Sequence, residues 1–207
     1  HPDNKVRREF RIKHNISEDD FVVIYAGKQV KAKGADFFAE TIKPKMERKD
    51  GCNIVFMVVG NSPADEYGAH LDKLYASSEN RIIRFPTQKY VDLHTYFQAA
   101  DLAVFPNEGS LTFYDAQACA LPVLWSDEKL NVERLQFGNG FNFKLLDKSD
   151  FAEKILKCAN MPKEEFTKMR ENALNYIKCN YDYEKISREY ESFIIDEYNR
   201  QKSEKNF

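Results

Sequence analysis

The feature of the sequence that most constrains its fold is a set of three short, almost continuous apolar runs. They occupy residues 21–26, 54–59 and 102–105 and are rich in valine, isoleucine and phenylalanine. Runs of this length and composition are typical of strands that are buried on both faces. Weaker strands are predicted at residues 81–85 and 122–125, where polar residues or proline flank the apolar positions. Other elements must therefore cover both faces of the predicted sheet.

Segments with helical spacing separate these strands, and they are predicted at residues 35–46, 67–75, 91–99 and 111–118. Strand and helix alternate about five times. Such alternation requires a parallel sheet with right-handed crossovers. The predicted fold class is α/β, with a single Rossmann-like doubly wound parallel sheet that carries helices on both faces.

The last part of the chain has helical spacing without intervening strands. Three consecutive helices are predicted, at residues 149–159, 162–179 and 183–198. The last of them has one apolar stripe, which includes Tyr190 and Phe193 and is expected to pack on another surface.

The first residues carry a short basic segment, residues 5–13, that is predicted to be helical. A solvated surface helix is the favoured interpretation, and a surface for a membrane or another anionic partner is the alternative. The predicted organisation is a linker with this helix (1–18), a Rossmann-like domain (19–148) and C-terminal helices (149–207).

Composition excludes several classes of function. The 31 basic and 33 acidic residues give a net charge of −2, which argues against a broad nucleic-acid surface. No apolar run approaches the roughly 20 residues of a membrane helix, and no signal peptide opens the chain. The four histidines lack ligand spacing, so no metal site is expected. The four cysteines are far apart and are expected to be reduced thiols.

In an open α/β sheet, ligands bind beyond the carboxyl ends of the strands, so the turns that follow the strands are the first candidates. After the first strand, Gly27 to Gly34 enclose three lysines within six residues. Glycines permit close backbone approach and the ammonium groups suit a phosphate or diphosphate, although this turn taken alone slightly favours a lysine-rich surface turn. After the second strand, the turn that contains Asn61 either caps a ligand or, as favoured, only turns the chain.

The turn after residues 102–105 has the most polar chemistry. Ser110 is predicted to cap a helix whose first amides, those of Leu111 and Thr112, would form an anion site. Asp115 lies one turn further along, where its carboxylate could hold two adjacent sugar hydroxyls. The alternative is a polar first turn that only complements the helix dipole.

These motifs, taken in order, resemble those of the carboxyl-terminal, nucleotide-sugar-binding half of GT-B glycosyltransferases. Within that fold the sequence looks most like the retaining glycosyltransferase family 4, or glycosyl transferases group 1. The resemblance covers about residues 5–198. It rests on the order and spacing of Tyr-Ala-Gly-Lys (25–28), Lys-Gly (33–34), Val-Val-Gly-Asn (58–61), Asp-Leu-Ala-Val-Phe-Pro (101–106), Glu-Gly-Ser (108–110) and the segment 115–123.

The resemblance implies roles for particular residues. Lys28 and Lys33 match the basic pair that neutralises the donor diphosphate and leaving group, and Glu108 matches the acidic residue that touches the transferred sugar. Asp115 stands where the family has a glutamate that binds ribose hydroxyls. The other implied donor-binding residues are Gly27, Asn61, Phe85, Pro86, Thr87, Gly109, Ser110, Leu111 and Thr112.

Three positions depart from the family pattern. Six residues separate Glu108 from Asp115, whereas the family usually has seven, so strict spacing would place Asn107 in the first acidic position. Lys28 replaces the more frequent arginine and loses its bidentate fork for phosphate oxygens. Ala120 replaces a glycine, so a left-handed turn there would cost about 1 kcal/mol.

The implied activity is transfer of a hexose from a UDP- or GDP-sugar, with retention, to a polysaccharide or lipid-linked acceptor such as those of capsule or lipopolysaccharide. No cofactor or metal beyond the donor is expected. The expected partners are the nucleotide sugar, the acceptor and the missing amino-terminal GT-B domain, with at most peripheral membrane contact. We expect a cytoplasmic fragment that is inactive alone. The alternative is a non-catalytic module that binds a phosphorylated small molecule or a protein.

Overall fold

Six parallel strands form one sheet in the computed structural model, which describes residues 2–107, 111–135 and 137–204. The strands are β1 (Phe21–Ala26), β2 (Ile54–Val59), β3 (Arg81–Phe85), β4 (Leu102–Phe105), β5 (Val123–Ser126) and β6 (Gly140–Phe143). The helices are α1 (Asn4–Lys13), α2 (Ala35–Thr41), α3 (Glu66–Ala76), α4 (Leu93–Ala99), α5 (Thr112–Ala118), α6 (Lys129–Leu135), α7 (Lys148–Ala159), α8 (Lys163–Asn180) and α9 (Tyr183–Glu204).

The strand order is β3-β2-β1-β4-β5-β6, and all neighbouring strands pair in parallel. The chain therefore builds outward from β1 on one side, returns to the middle, and builds outward from β4 on the other. This arrangement confirms the predicted doubly wound fold. Its reversal point lies between β1 and β4, where such folds open a crevice at the carboxyl ends of the strands.

Side chains that alternate along each strand form two separate hydrophobic layers. Val23 and Phe56 face the layer covered by α2, α3 and α7. Val22 and Met57 face the opposite layer, which α1, α4, α5 and α8 cover. Because both faces are buried, the central strands consist of continuous apolar runs.

Helix α2 is shorter than predicted, and one strand and one helix were missed. Helix α2 ends at Thr41 and not at residue 46, because Pro44 lacks an N–H and disfavours helical geometry in the residue before it. Strand β6 and helix α6 were not predicted. The sequence of β6, Gly-Phe-Asn-Phe, is too short and polar to stand out, and its pairing with β5 gives it strand geometry.

Helix α1 is not the solvated helix that its basic composition suggested. The Arg11 side chain is 0% exposed and Phe10 is buried in the second hydrophobic layer. The Arg7 and Arg11 guanidinium groups donate to the two carboxylate oxygens of Asp101, at 2.7 and 2.6 Å. The interpretation as a solvated surface helix was therefore wrong, because two of its charges are satisfied inside the protein.

Helix α5 ends in a left-handed turn at Ala120, which has a φ of +56°. The Leu121 amide donates to the Ala116 carbonyl at 3.1 Å and the Ala120 amide to that of Gln117 at 2.9 Å, the hydrogen-bond pattern of a Schellman cap. The left-handed turn therefore persists although alanine replaces the glycine that such a turn favours.

Substitution of Ala120 by glycine is expected to raise the free energy of unfolding by about 0.5–1 kcal/mol. Glycine removes the steric cost of the left-handed backbone, and the greater entropy of glycine in the unfolded chain offsets part of the gain. Urea unfolding followed by circular dichroism measures the difference. The matched control is Ala118→Gly in the last turn of the same helix, which is expected to destabilise the protein. A destabilised Ala120→Gly variant would contradict the interpretation.

The three predicted C-terminal helices are present as α7, α8 and α9. The apolar stripe of α9 is uncovered: the Phe193 side chain is 68% exposed, and Tyr190 and Ile194 are similarly open. No helix among the described residues combines the length and hydropathy needed to cross a bilayer.

Candidate functional site

A cavity of about 290 Å³ lies where β1 and β4 end, at the reversal point of the sheet. Two loops form it, the one that follows β1 and the one that follows β4. The described residues that line it are Tyr25, Ala26, Gly27, Lys28, Lys33, Val104, Phe105 and Pro106. The charged members of this lining are both lysines, so the cavity suits an anionic ligand.

The loop after β1 reaches the loop after β4 because Gly34 allows a close contact. Gly34 has a φ of +70°, and a Cβ built on it would lie 2.9 Å from the Cβ of Pro106. At the other end of the same loop, the Tyr25 hydroxyl donates to the Lys28 carbonyl at 3.0 Å. These contacts fix the backbone between the two predicted diphosphate-binding lysines.

The ends of β1, β2 and β3 are held side by side beyond the regular strands. The Gly27 amide donates a hydrogen bond to the Val59 carbonyl, and the Gly60 amide donates one to the Phe85 carbonyl, both at 3.0 Å. A Cβ on Gly60 would lie only 2.2 Å from the Gly27 carbonyl oxygen, so only glycine fits there. The buried Gln29 side chain donates to the Gly60 carbonyl. The role of Gln29 was not predicted from the sequence. Gln29 stands out there only as a neutral polar residue in a segment rich in lysine.

Asn61 and Thr87, two predicted donor-binding residues, bond to each other. The Asn61 amide donates to the Thr87 hydroxyl and the Thr87 amide donates to the Asn61 side-chain oxygen, each at 3.2 Å. This reciprocal pair joins the turn after β2 to the loop after β3. The end of β3 at Phe85 and the following Pro86 and Thr87 are therefore fixed relative to the cavity turn at Gly27.

Asp115 forms a hydrogen bond that the sequence did not predict. The Tyr90 hydroxyl donates to Asp115 Oδ1 at 2.7 Å. The other oxygen, Oδ2, is buried and has no hydrogen-bond partner among the described residues. Burial raises the pKa of the Asp115 carboxyl, and the hydrogen bond from Tyr90 opposes that rise. A partly desolvated carboxylate with an unused acceptor is suited to a hydroxyl-bearing ligand.

The turn after β4 is only partly described. Glu108, Gly109 and Ser110 lie outside the described residues, whereas the Asn107 carbonyl accepts a bond from Trp125 Nε1 at 3.2 Å. Helix α5 begins at Thr112, one residue later than predicted, with the exposed Leu111 at its N-cap position.

The candidate residues therefore fall into three groups. Gly27, Lys28 and Lys33 line the cavity, Asn61 pairs with Thr87, and Asp115 pairs with Tyr90. All three groups follow the carboxyl ends of strands, as the doubly wound fold requires. Tyr90 was not a candidate, and its only sequence signal is a single aromatic residue in a polar loop.

Residues 20–161 match the family described as glycosyl transferases group 1, which is more than half of the chain. The chain belongs to this glycosyltransferase family. The expectation drawn from the ordered motifs is thus confirmed at the level of family, and the matched segment contains all three groups of candidate residues.

A relative from Staphylococcus aureus, the capsular polysaccharide biosynthesis glycosyltransferase CapM, is 26% identical over 165 residues. That match covers 76% of this chain and 40% of CapM. The match to a second relative, from Bacillus subtilis, covers 41% of the length of that relative. The chain therefore spans about two fifths of the length of the curated relatives it matches.

Solved structures share the fold. The Anabaena protein HepE, crystallised with UDP and glucose, superposes with a TM-score of 0.78 at 17% identity, over 94% of this chain and 53% of HepE. The C-terminal domain of the group 1 glycosyltransferase LpcC from Francisella tularensis superposes with a TM-score of 0.69 at 15% identity, over 88% of this chain and 96% of that domain. The fold of this family member is that of one half of a GT-B glycosyltransferase.

Proposed function

We propose that this chain is the donor-binding half of a retaining glycosyltransferase that transfers a hexose from a UDP- or GDP-sugar. The observation that carries the proposal is the pair Lys28 and Lys33 on the cavity at the β1–β4 reversal point. The family membership and the UDP complex of HepE support it.

In the proposed mechanism the donor diphosphate lies over the lysine pair. Negative charge builds on the leaving diphosphate as the glycosidic bond breaks, and the two ammonium groups would stabilise that charge where it develops. The amides of Ser110, Leu111 and Thr112 would hold the same diphosphate, and Glu108 would contact the sugar. No metal is required in this scheme, because Lys28 and Lys33 supply the positive charge.

The nucleoside is proposed to lie beside the second and third groups of residues. Asp115 offers two acceptor oxygens at a spacing that suits the vicinal ribose hydroxyls. The backbone of Phe85, Pro86 and Thr87 would contact the base, and the Asn61–Thr87 pair keeps that backbone in place.

The remaining partners are proposed from the length of the relatives and the uncovered α9. An amino-terminal GT-B half would complete the cleft, supply acceptor contacts and cover the apolar stripe at Tyr190 and Phe193. A chain without that half is expected to bind donor and not to turn it over. We propose a polysaccharide or lipid-linked acceptor of the capsule or lipopolysaccharide type, and action at the cytoplasmic face of the membrane.

Calorimetric titration with UDP, GDP and their sugar conjugates tests the proposal. One of the two nucleotide series is expected to bind. The substitution Asp115→Ala is expected to lower the affinity for that nucleotide at least about tenfold, because hydrogen bonds to a charged acceptor are lost. Asp196→Ala on the exposed face of α9 is the matched control and should bind as the parent does. A folded chain that ignores both nucleotides would contradict the proposal and favour a non-catalytic module for another phosphorylated ligand or a protein.

A further inference from the structure

The hydrogen bond between Tyr90 and Asp115 joins an exposed side chain to the carboxylate proposed to bind ribose. The Tyr90 side chain is 65% exposed, and its hydroxyl lies 2.7 Å from Asp115 Oδ1. The contact is therefore made by the tip of a ring that stands mostly in solvent. Any role of this bond in ligand binding rests on the proposed function, because both involve the same carboxylate.

The Asp115 carboxylate would present two oxygens to a diol, and one of them already accepts a hydrogen bond. Oδ1 accepts from Tyr90, whereas Oδ2 is buried without a hydrogen-bond partner among the described residues. A vicinal diol presents two hydroxyl donors at the spacing of the two carboxylate oxygens. In the free protein, Tyr90 thus fills one of the two positions that a ribose diol would take.

The local backbone lets Tyr90 leave without disturbing the core. Tyr90 begins a short 3-10 helix, Tyr90–Asp92, which the Asp92 amide closes by donating to the Lys89 carbonyl at 3.0 Å. Lys89, Tyr90 and Val91 are all exposed. Rotation of the tyrosine about its side-chain bonds would therefore break its hydrogen bond to Asp115 and bury or expose little apolar surface.

We propose that Tyr90 is a gate on the nucleoside subsite. Its hydroxyl donates a hydrogen bond to Asp115 Oδ1 in the free protein, and a ribose hydroxyl displaces it when the nucleotide binds. The exchange is one of hydrogen bonds only, with the phenol donor leaving Oδ1 and a ribose hydroxyl donor replacing it. Tyr90 is a specificity residue in this scheme, because ligands without ribose hydroxyls cannot displace it.

The gate lowers the affinity for ribonucleotides, since each binding event must break the tyrosine hydrogen bond. Tyr90→Phe removes that bond from the free protein and keeps the ring. Its affinity for the nucleoside diphosphate is expected to rise about tenfold or more, the factor equivalent to one hydrogen bond to a charged acceptor. The affinity for the 2′,3′-dideoxy nucleotide is expected to be unchanged.

The experiment is a calorimetric titration of the parent chain and Tyr90→Phe. The ligands are UDP or GDP, whichever binds the parent more tightly, and the dideoxy form of the same nucleotide. Tyr183→Phe is the matched control, because Tyr183 is also an exposed tyrosine whose hydroxyl is near a carboxylate, that of Glu184 at 3.5 Å. The control is expected to bind both ligands as the parent does.

An unchanged or weaker affinity of Tyr90→Phe for the ribonucleotide overturns the gate, and so does an equal gain with the dideoxy form. In either case the proposed function stands, because the parent chain still binds. Absence of binding by the parent to both UDP and GDP overturns the proposed function and the gate together.

A second measurement tests the gate without any nucleotide. Carboxyl-detected NMR titration of Asp115 is expected to show a higher pKa in Tyr90→Phe than in the parent, because the tyrosine bond stabilises the charged carboxylate. An equal pKa in the two proteins would show that the hydrogen bond does not form in solution and would overturn the gate.

Discussion

Replacement of Asp101 by asparagine is expected to lower the free energy of unfolding by about 3–5 kcal/mol, the loss typical when one partner of a buried ion pair is removed. Asp101 is buried immediately before β4, and its carboxylate accepts hydrogen bonds from the guanidinium groups of Arg7 at 2.7 Å and Arg11 at 2.6 Å. A third guanidinium, that of Arg170, lies 3.8 Å away. Asparagine keeps the size of the side chain but removes the negative charge that faces all three guanidinium groups.

The cost is large because Arg11 cannot reach water. Its guanidinium also donates to the carbonyls of Ala99 and Asp20, both at 3.0 Å, and burial lowers its pKa while Asp101 opposes that change. Without Asp101 the buried positive charge would have backbone carbonyls as its remaining partners. The urea midpoint, followed by circular dichroism, measures the loss.

Asp72→Asn is the matched control, because it removes a carboxylate that pairs with Arg84 at 2.8 Å on the surface. Exposed pairs contribute less than about 1 kcal/mol, so this variant is expected to unfold near the parent midpoint. Similar midpoints for Asp101→Asn and Asp72→Asn would contradict the structural role of the buried cluster.

The stability that Asp101 contributes also depends on pH. Burial raises the pKa of this carboxyl, but the charges of Arg7 and Arg11 and the Val22 amide outweigh burial and hold the pKa below its usual value. The contribution is therefore complete above the unfolded-state pKa of about 3.9 and is lost as the pH falls through the lower folded-state value. The difference between the parent and Asp101→Asn is expected to shrink over that acidic interval.

The double variant Lys28→Ala/Lys33→Ala is expected to weaken binding of the nucleotide sugar by about 10²- to 10⁴-fold. Each charge-assisted hydrogen bond to phosphate contributes about 1.5–3 kcal/mol, and both lysines line the cavity that is proposed to hold the diphosphate. The fold is expected to survive, because the loop backbone is held by the Tyr25 hydroxyl and by the contact of Gly34 with Pro106. Calorimetry measures the affinity and thermal unfolding checks the fold.

Lys31→Ala/Lys45→Ala is the control for this double variant. It removes the same total charge, one lysine from the same loop and one from the segment before β2, and both side chains are exposed. Its affinity is expected to stay within a few fold of the parent, since exposed charges beyond contact distance are screened by salt. If the Lys28/Lys33 variant binds as tightly as the parent, the assigned diphosphate site is wrong.

The sequence by itself determined the central sheet and the chemistry of its edge. Strands β1 to β4 were predicted with the bounds that the structure shows. Strands β1, β2 and β4 are apolar at every position because they are buried on both faces, whereas β3 carries the exposed Arg81 and Arg84 and gave a weaker signal. The strand–helix rhythm then fixed the doubly wound order, which places every strand's carboxyl end at one edge. Lys28 and Lys33 line one cavity because both lie in the single loop that follows β1. The left-handed turn at Ala120 was raised only as a condition, from the glycine that the family has at this position, and the structure shows that it persists.

Only the tertiary structure decided which partner each polar side chain has. Arg11 and Asp101 are 90 positions apart and Tyr90 and Asp115 are 25 apart, so no local pattern links them. Helix α1 looked solvated because its charges were counted without Asp101, and β6 became a strand because β5 offered an unpaired edge. Hydrophobic periodicity reports whether a segment is buried, whereas a hydrogen bond or ion pair depends on two segments that meet only after folding.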